Sequence, residues 1–167
     1  SVTAIGTYAF AGCSSLQSVN MSTNSNFTTL NTSVFASTGL LSVTIPDNIT
    51  TIGNTVFSSC SSLHTVTIGA GATSIATYCF QNCNVLQTVH INSDVLTTFT
   101  SSPFLNAGQN LSGGDVLTVT MSTTLLNALS LSYSSGNTWQ GASNVTFALP
   151  PDYTDPVITS GATGNPV

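Results

Sequence analysis

Lysine, arginine and glutamate are absent from this 167-residue sequence, and five aspartates account for its net charge of −5. Charged residues amount to 3% of the chain, where an ordinary domain carries about 25%. A chain without cations cannot neutralise phosphates, which argues against nucleic acid as a partner. It also has nothing with which to hold an anionic membrane surface. No apolar run approaches the roughly 20 residues that span a bilayer, so membrane insertion is not expected. The opening Ser1-Val2-Thr3-Ala4 has neither the basic region nor the apolar stretch of a secretory leader, and the chain reads as a mature or excised segment. So little charge also removes the repulsion that keeps molecules apart. Serine, threonine and asparagine must carry the surface, with glycans attached, or the molecule is built to self-associate.

Hydrophobic residues are plentiful at 41%, enough for a globular core, and they recur with a period of about 23 residues. Repeat 1 runs from Val2 to Met21, repeat 2 from Asn26 to Ile45, repeat 3 from Ile49 to Ile68 and repeat 4 from Ala72 to Ile91. Repeat 5, Val95 to Met121, is looser and carries an insertion around Asn106 to Asp115. One apolar column holds Ile5, Leu30, Ile52, Ile75 and Phe99, and a second holds Phe10, Phe35, Phe57, Phe80 and Phe104. A third holds Leu16, Leu40, Leu63 and Leu86. The last pair of columns begins with Val19 and Met21 and continues as Val43 and Ile45, Val66 and Ile68, Val89 and Ile91, and Val119 and Met121. This Val-x-Ile alternation is that of a strand with one buried face. A single repeat cannot bury its apolar side, but stacked repeats share one core.

The stretch Ile52-Gly-Asn-Thr-Val-Phe57-Ser-Ser-Cys60-Ser-Ser-Leu63-His-Thr-Val66-Thr-Ile68, with its relatives, resembles the BspA-type leucine-rich repeat over about residues 1 to 121. The resemblance implies a mainly β solenoid of about five rungs, with Val-x-Ile as a strand lining one face. It implies that the segment around each phenylalanine is a tight turn, often helical, plugging the ring into the core. The family usually has ordinary lysine and glutamate content, so its ligand preferences are not transferred. Residues 122–149 resemble the end of such an array and are expected to cap it. There, a short helix is expected at Leu125–Leu129, a cover at Trp139 and a closing strand at Asn144–Leu149. Residues 150–167 open with Pro150-Pro-Asp-Tyr-Thr-Asp-Pro156, which breaks regular structure, and form an extended tail or linker. The first repeat has no matching cap, and the tail offers a strand that could cover it.

Cys13, Cys60 and Cys83 share one repeat position, which in the family is a small buried residue, so free core thiols are one reading. Cys60 and Cys83 lie in adjacent repeats within disulfide reach if rungs stack about 5 Å apart, and Cys79 with Cys83 is the other pair that could form. No histidine has a ligand spacing with a cysteine pair, so no metal is expected. His64 and His90 are expected to face outward, with no aspartate at a matching position to make a catalytic set. Asp47 and Asp94 occupy turn positions suited to local hydrogen bonds, Asp115 lies in a loop, and Asp152 and Asp155 lie in the tail. No two carboxylates face each other as glycosidase chemistry needs. No catalytic residue, cofactor or enzymatic activity is expected.

N-glycosylation triplets occur at Asn20, Asn26, Asn31, Asn48, Asn110 and Asn144. The outward strand positions read Ser18 and Asn20, Ser42 and Thr44, Thr65 and Thr67, Thr88 and His90, and Thr118 and Thr120. Such a ladder suits ice or a regular glycan, although threonine also suits any exposed strand. Two functions are expected of an extracellular or cell-surface protein of this kind. The first is a fibre protomer that joins head to tail, with Ile5, Tyr8 and Phe10 at one end and Val157 and Ile158 in the tail as contacts. The second is a monomeric adhesin module whose threonine face binds a host protein, a glycan or ice.

Overall fold

The computed structural model describes residues 2–100, 102–113, 115–128, 137–139 and 142–148. The repeat decides the layout, because each copy supplies a short strand ahead of its phenylalanine and a longer strand after its leucine. The short strands are β1 (Thr29–Leu30), β3 (Thr51–Ile52), β5 (Ser74–Ile75) and β7 (Thr98–Phe99). The longer ones are β2 (Ser42–Ile45), β4 (Thr65–Ile68), β6 (Thr88–Ile91) and β8 (Leu117–Met121). Then come α1 (Thr123–Ala128), β9 (Asn137–Trp139) and β10 (Ala142–Ala148). The strands form two sheets, one ordered β1-β3-β5-β7 and one ordered β2-β4-β6-β8-β10-β9. Every pairing is parallel except β10 with β9.

Register follows the columns of the sequence. Val43, Val66, Val89 and Val119 are successive partners, as are Ile45, Ile68, Ile91 and Met121. All eight are buried. The insertion in repeat 5 does not disturb this register, because it is tied back to repeat 4. The amide of Gly108 donates to the Cys83 carbonyl at 3.0 Å and that of Asn110 to the Asn84 carbonyl at 2.8 Å. Along the array the five phenylalanine rings stack nearly parallel, with centroid spacings of 5.4, 5.6, 5.3 and 5.0 Å from Phe10 to Phe104.

The turn around each ring is hydrogen-bonded but not helical. Residues two before each phenylalanine (Tyr8, Ser33, Thr55, Tyr78, Ser102) have φ between 52° and 62°. Residues two after it (Gly12, Ser37, Ser59, Asn82, Asn106) have φ between 57° and 76°. Left-handed residues at this interval interrupt a helix, and each non-glycine one costs about 1–2 kcal/mol. Hydrogen bonds between repeats offset that cost. Phe35 donates to the Val56 carbonyl at 2.9 Å, and its left-handed flanks Ser33 and Ser37 donate to Asn54 and Ser58 at 3.0 and 2.8 Å. The same three-bond pattern joins repeat 1 to repeat 2 and repeat 3 to repeat 4.

Repeat 1 departs from the expected plan. Its Val19–Met21 stretch is not a strand, and the sheets begin in repeat 2. Among the described residues it has one neighbouring repeat, and Ile5, Leu16, Val19 and Met21 are merely half-buried against the core. At the other end, β8 pairs in parallel with β10, whose Phe147 lies beside Val119. The expected closing strand is therefore present and starts at Ala142, and β9 beside it was not anticipated. The expected helix begins at Thr123, where the Ser122 hydroxyl accepts the Leu125 amide at 3.1 Å as an N-cap. Leu149 and the segment 150–167 lie outside the described residues, as does the side chain of Trp139.

Candidate interaction surfaces

The outward face of the six-stranded sheet carries two hydroxyl-rich columns. Ser42, Thr65, Thr88, Thr118 and Thr146 are successive partners in one, and Thr44, Thr67, His90 and Thr120 in the other. Thr44 is exposed, Thr65, Thr67, Thr88, His90 and Thr118 are half-buried, and Thr120 is buried. The His90 ring does not point freely outward, since its Nδ1 lies 2.7 Å from the Thr120 hydroxyl. That pair closes the second column at its C-terminal side. His64 is exposed. Two adjoining depressions of about 350 and 340 Å³ cross the other end of this face. They share Thr23, Thr44 and Pro46, and Thr67, Asp47 and Asn92 continue the second one.

The second surface is the face of repeat 1. Val2 is 52% exposed, Tyr8 62% and Phe10 39%, whereas Phe35, Phe57, Phe80 and Phe104 are completely buried. A depression of about 550 Å³ lies there, lined by Ile5, Phe10, Val19, Met21 and Phe27 among others. Its polar chemistry is one-sided. In the turns of repeats 1 to 4 amides donate to carbonyls of the following repeat, so the turns of repeats 2 to 5 accept from the preceding one. The Thr7, Ala9 and Ala11 carbonyls of repeat 1 consequently have no such donor among the described residues. The far end differs, because Phe104 is covered and β8 is flanked by β10. Bare repeat-on-repeat stacking is thus not offered there by the six-stranded sheet. Val157 and Ile158, the expected tail contacts, lie outside the described residues.

The glycosylation triplets divide by environment. Asn20, Asn26 and Asn110 are exposed. The Asn31 amide nitrogen instead donates to the Ile5 carbonyl at 2.7 Å. That of Asn48 donates to the Phe27, Asn24 and Ser22 carbonyls at 2.5, 3.1 and 3.2 Å. The nitrogen that would carry a glycan is there used to pin one repeat to another. Asn144 lies in β10, and nothing further is described of its side chain. The sequence marked the triplet but not this wiring, since the bonded carbonyls lie 21 to 26 residues away.

Asp47 and Asp94 are likewise wired between repeats. Asp47 Oδ1 accepts the Ala70 amide at 2.7 Å, and Asp94 accepts the Ser122 hydroxyl. No group of three His, Cys, Asp or Glu side chains that could hold a metal occurs among the described residues. All four cysteines are free thiols, so Cys60 and Cys83 are not bridged. Cys13 is exposed, and Cys60, Cys79 and Cys83 are buried. Burial raises the pKa of all three buried thiols above the ordinary 9.0, and for Cys83 the neighbouring Cys60 adds to the rise. Cys60 Sγ donates to the Phe35 carbonyl and Cys83 Sγ to the Phe57 carbonyl, both at 3.2 Å.

Parallel strands in register at a period of about 23 residues, around a ladder of equivalent side chains, define a parallel-sheet repeat protein. The BspA type leucine-rich repeat region matches residues 1–110 in six copies, and the chain belongs to that family. No curated protein and no solved structure matches it. No helix among the described residues is long and apolar enough to cross a membrane.

Proposed function

We propose that this chain is an extracellular, non-enzymatic structural or adhesive protein, a solenoid of about five rungs that serves as the protomer of a self-assembling fibre. The observation that carries the reading is the face of repeat 1, where Tyr8 and Phe10 stand exposed over an apolar depression beside Ile5. Exposed strand and turn edges of this sort favour pairing with another chain. A net charge of −5 over 167 residues, with no cation, offers little to oppose contact. In this reading residues 122–149 cap the array. Residues 150–167 form the tail that reaches the next protomer, with Val157 and Ile158 entering its depression. Such a contact is heterologous and non-closing, and so gives filaments. Electron microscopy of the native, unconcentrated protein tests it. Regular filaments that are lost when residues 150–167 are deleted are expected; isolated particles at every concentration would sink the reading.

A second reading is favoured by the joined depressions on the threonine face. There the chain is a monomeric cell-surface module that binds a host protein, a glycan or ice through Thr44, Thr65, Thr67, Thr88 and Thr118. Replacing Thr44, Thr65 and Thr67 by bulky residues should abolish binding to an immobilised surface while leaving the circular dichroism unchanged. Retained binding would remove this face from consideration.

A further inference from the structure

The glycosylation triplets have no part in either reading, and the fold treats them unequally. In two of them both working groups are engaged. The Asn48 side-chain nitrogen has the Phe27, Asn24 and Ser22 carbonyls within 3.2 Å, and its triplet hydroxyl, Thr50 Oγ1, donates to the Thr28 carbonyl at 3.2 Å. The Asn31 nitrogen donates to the Ile5 carbonyl, and its triplet hydroxyl, that of the buried Ser33, lies 2.7 Å from the Thr55 hydroxyl. A sugar on either nitrogen replaces an amide hydrogen and sets a ring against the neighbouring repeat, so a hydrogen bond and close packing are lost together. Asn26 and Asn110 differ at each point. Both are exposed and stand in turns, and their triplet hydroxyls, on Thr28 and Ser112, belong to exposed residues too. Neither side-chain nitrogen is among those that bridge repeats. The loop that presents Asn110 is anchored by its backbone amide on the Asn84 carbonyl. Neither residue lines the depressions of the two candidate surfaces, whereas Asn20, also exposed, lines one on each.

We propose that Asn26 and Asn110 are N-glycan acceptor sites, and that Asn31 and Asn48 carry no glycan in the folded protein. The donor is an oligosaccharide linked to a polyprenyl diphosphate, delivered by the transferase of a secretory pathway. The side-chain nitrogen attacks C1 of the first sugar, and the bond from C1 to the diphosphate oxygen breaks. The polyprenyl diphosphate leaves with the electron pair, and the nitrogen gives one proton to a base of the transferase. Transfer acts on the nascent chain, so the fold works afterwards as a filter. A chain modified at Asn48 loses the bonds that seat it against Ser22, Asn24 and Phe27, and does not reach the folded pool. Glycans at the two open sites supply the hydration that a surface with 3% charged residues lacks. The inference rests on the extracellular placement proposed above, and on neither the fibre nor the adhesin reading.

The test secretes the full chain from a eukaryotic host behind a leader peptide and keeps the fraction with native circular dichroism. A peptide N-glycosidase in heavy-oxygen water then converts each glycan-bearing asparagine to a heavy aspartate, which peptide mapping locates. The expected product is marked at Asn26 and Asn110 and unmarked at Asn31 and Asn48. Joint replacement, Asn26→Gln with Asn110→Gln, should lower the intact mass by two glycans. Thr50→Ala, which destroys the Asn48 triplet but leaves the Asn48 amide in place, should change neither the glycan pattern nor the secreted yield. Asn48→Gln should leave the pattern unchanged but lower the melting temperature. A marked Asn31 or Asn48 in natively folded protein, an unmarked Asn26 or Asn110, or a glycan lost on Thr50→Ala would overturn the assignment. Filament formation is read separately by microscopy, so failure here leaves the fibre reading standing.

Discussion

At the scale of single residues, amides, hydroxyls, thiols and a carboxylate bridge one repeat to the next. Asn48 spans to three carbonyls, Asp47 to the Ala70 amide and Thr38 to Cys60. The buried thiols make this testable. In the reduced native protein one cysteine, Cys13, should react promptly with a thiol reagent at pH 8, and the other three only after unfolding. Four prompt thiols would mean that the core is open. The raised pKa values also fix the sign of an alkaline effect. Below pH 9.0 the thiols are protonated in both states, and the stability they carry is complete. Above it the unfolded chain loses protons that the folded chain keeps, so the folded state binds more protons and stability falls. Each such thiol contributes about 1.4 kcal/mol per pH unit over that window. The urea midpoint should drop between pH 8 and 10, and Cys79→Ala should lessen the slope. A flat profile would show the thiols to be more hydrated than their burial indicates. The column shared by Cys60 and Cys83 was legible in the sequence because it is periodic. Their pose, and the long-range bonds of Asn48 and Asp47, were not, since those depend on how far one repeat sits from the next.

At the scale of elements, the turn and its ring carry the specificity of the stack. Phe35, Phe57 and Phe80 each stack on the ring before and the ring after, and each ring pair adds about 0.5–1.5 kcal/mol beyond its buried area. Phe57, completely buried between Phe35 and Phe80, should cost about 3–5 kcal/mol on replacement by alanine. Phe10, exposed on one side with a single ring neighbour, should cost well under half of that. Equal losses in chemical denaturation would mean that repeat 1 is as well packed as the middle of the array. The strands were legible from Val-x-Ile alternation, and their observed register matches the columns residue for residue. The left-handed flanks of each ring were not legible. Tyr8 and Thr55 are poor candidates for positive φ, and their hydrogen bonds to the next repeat explain why they adopt it. The β9 strand, which pairs antiparallel with β10, was not read from the sequence.

At the scale of the whole molecule, a repeat array has stability that varies along its length, because each unit is held by its neighbours alone. Repeats 3 and 4 have neighbours on both sides, and their apolar columns are completely or almost completely buried. Among the described residues repeat 1 has one neighbour, no paired strand and no completely buried side chain. Native-state hydrogen exchange should therefore rise steeply towards the N-terminal side. The amides of Tyr8, Phe10 and Gly12, though bonded to repeat 2, should exchange at least about 100-fold faster than those of Val66 and Val89, a difference of about 2.8 kcal/mol. Uniform protection from repeat 1 to repeat 5 would mean that the array opens as one unit. The same measurement reads out assembly. If another molecule covers the face of repeat 1, protection at Tyr8, Phe10 and Gly12 must increase with protein concentration while Val66 and Val89 stay constant. If the threonine face is the one in use, the repeat 1 amides should stay fast at all concentrations. Ligand should then slow exchange in β2 and β4 instead, so the place where protection appears separates a fibre protomer from a binding module.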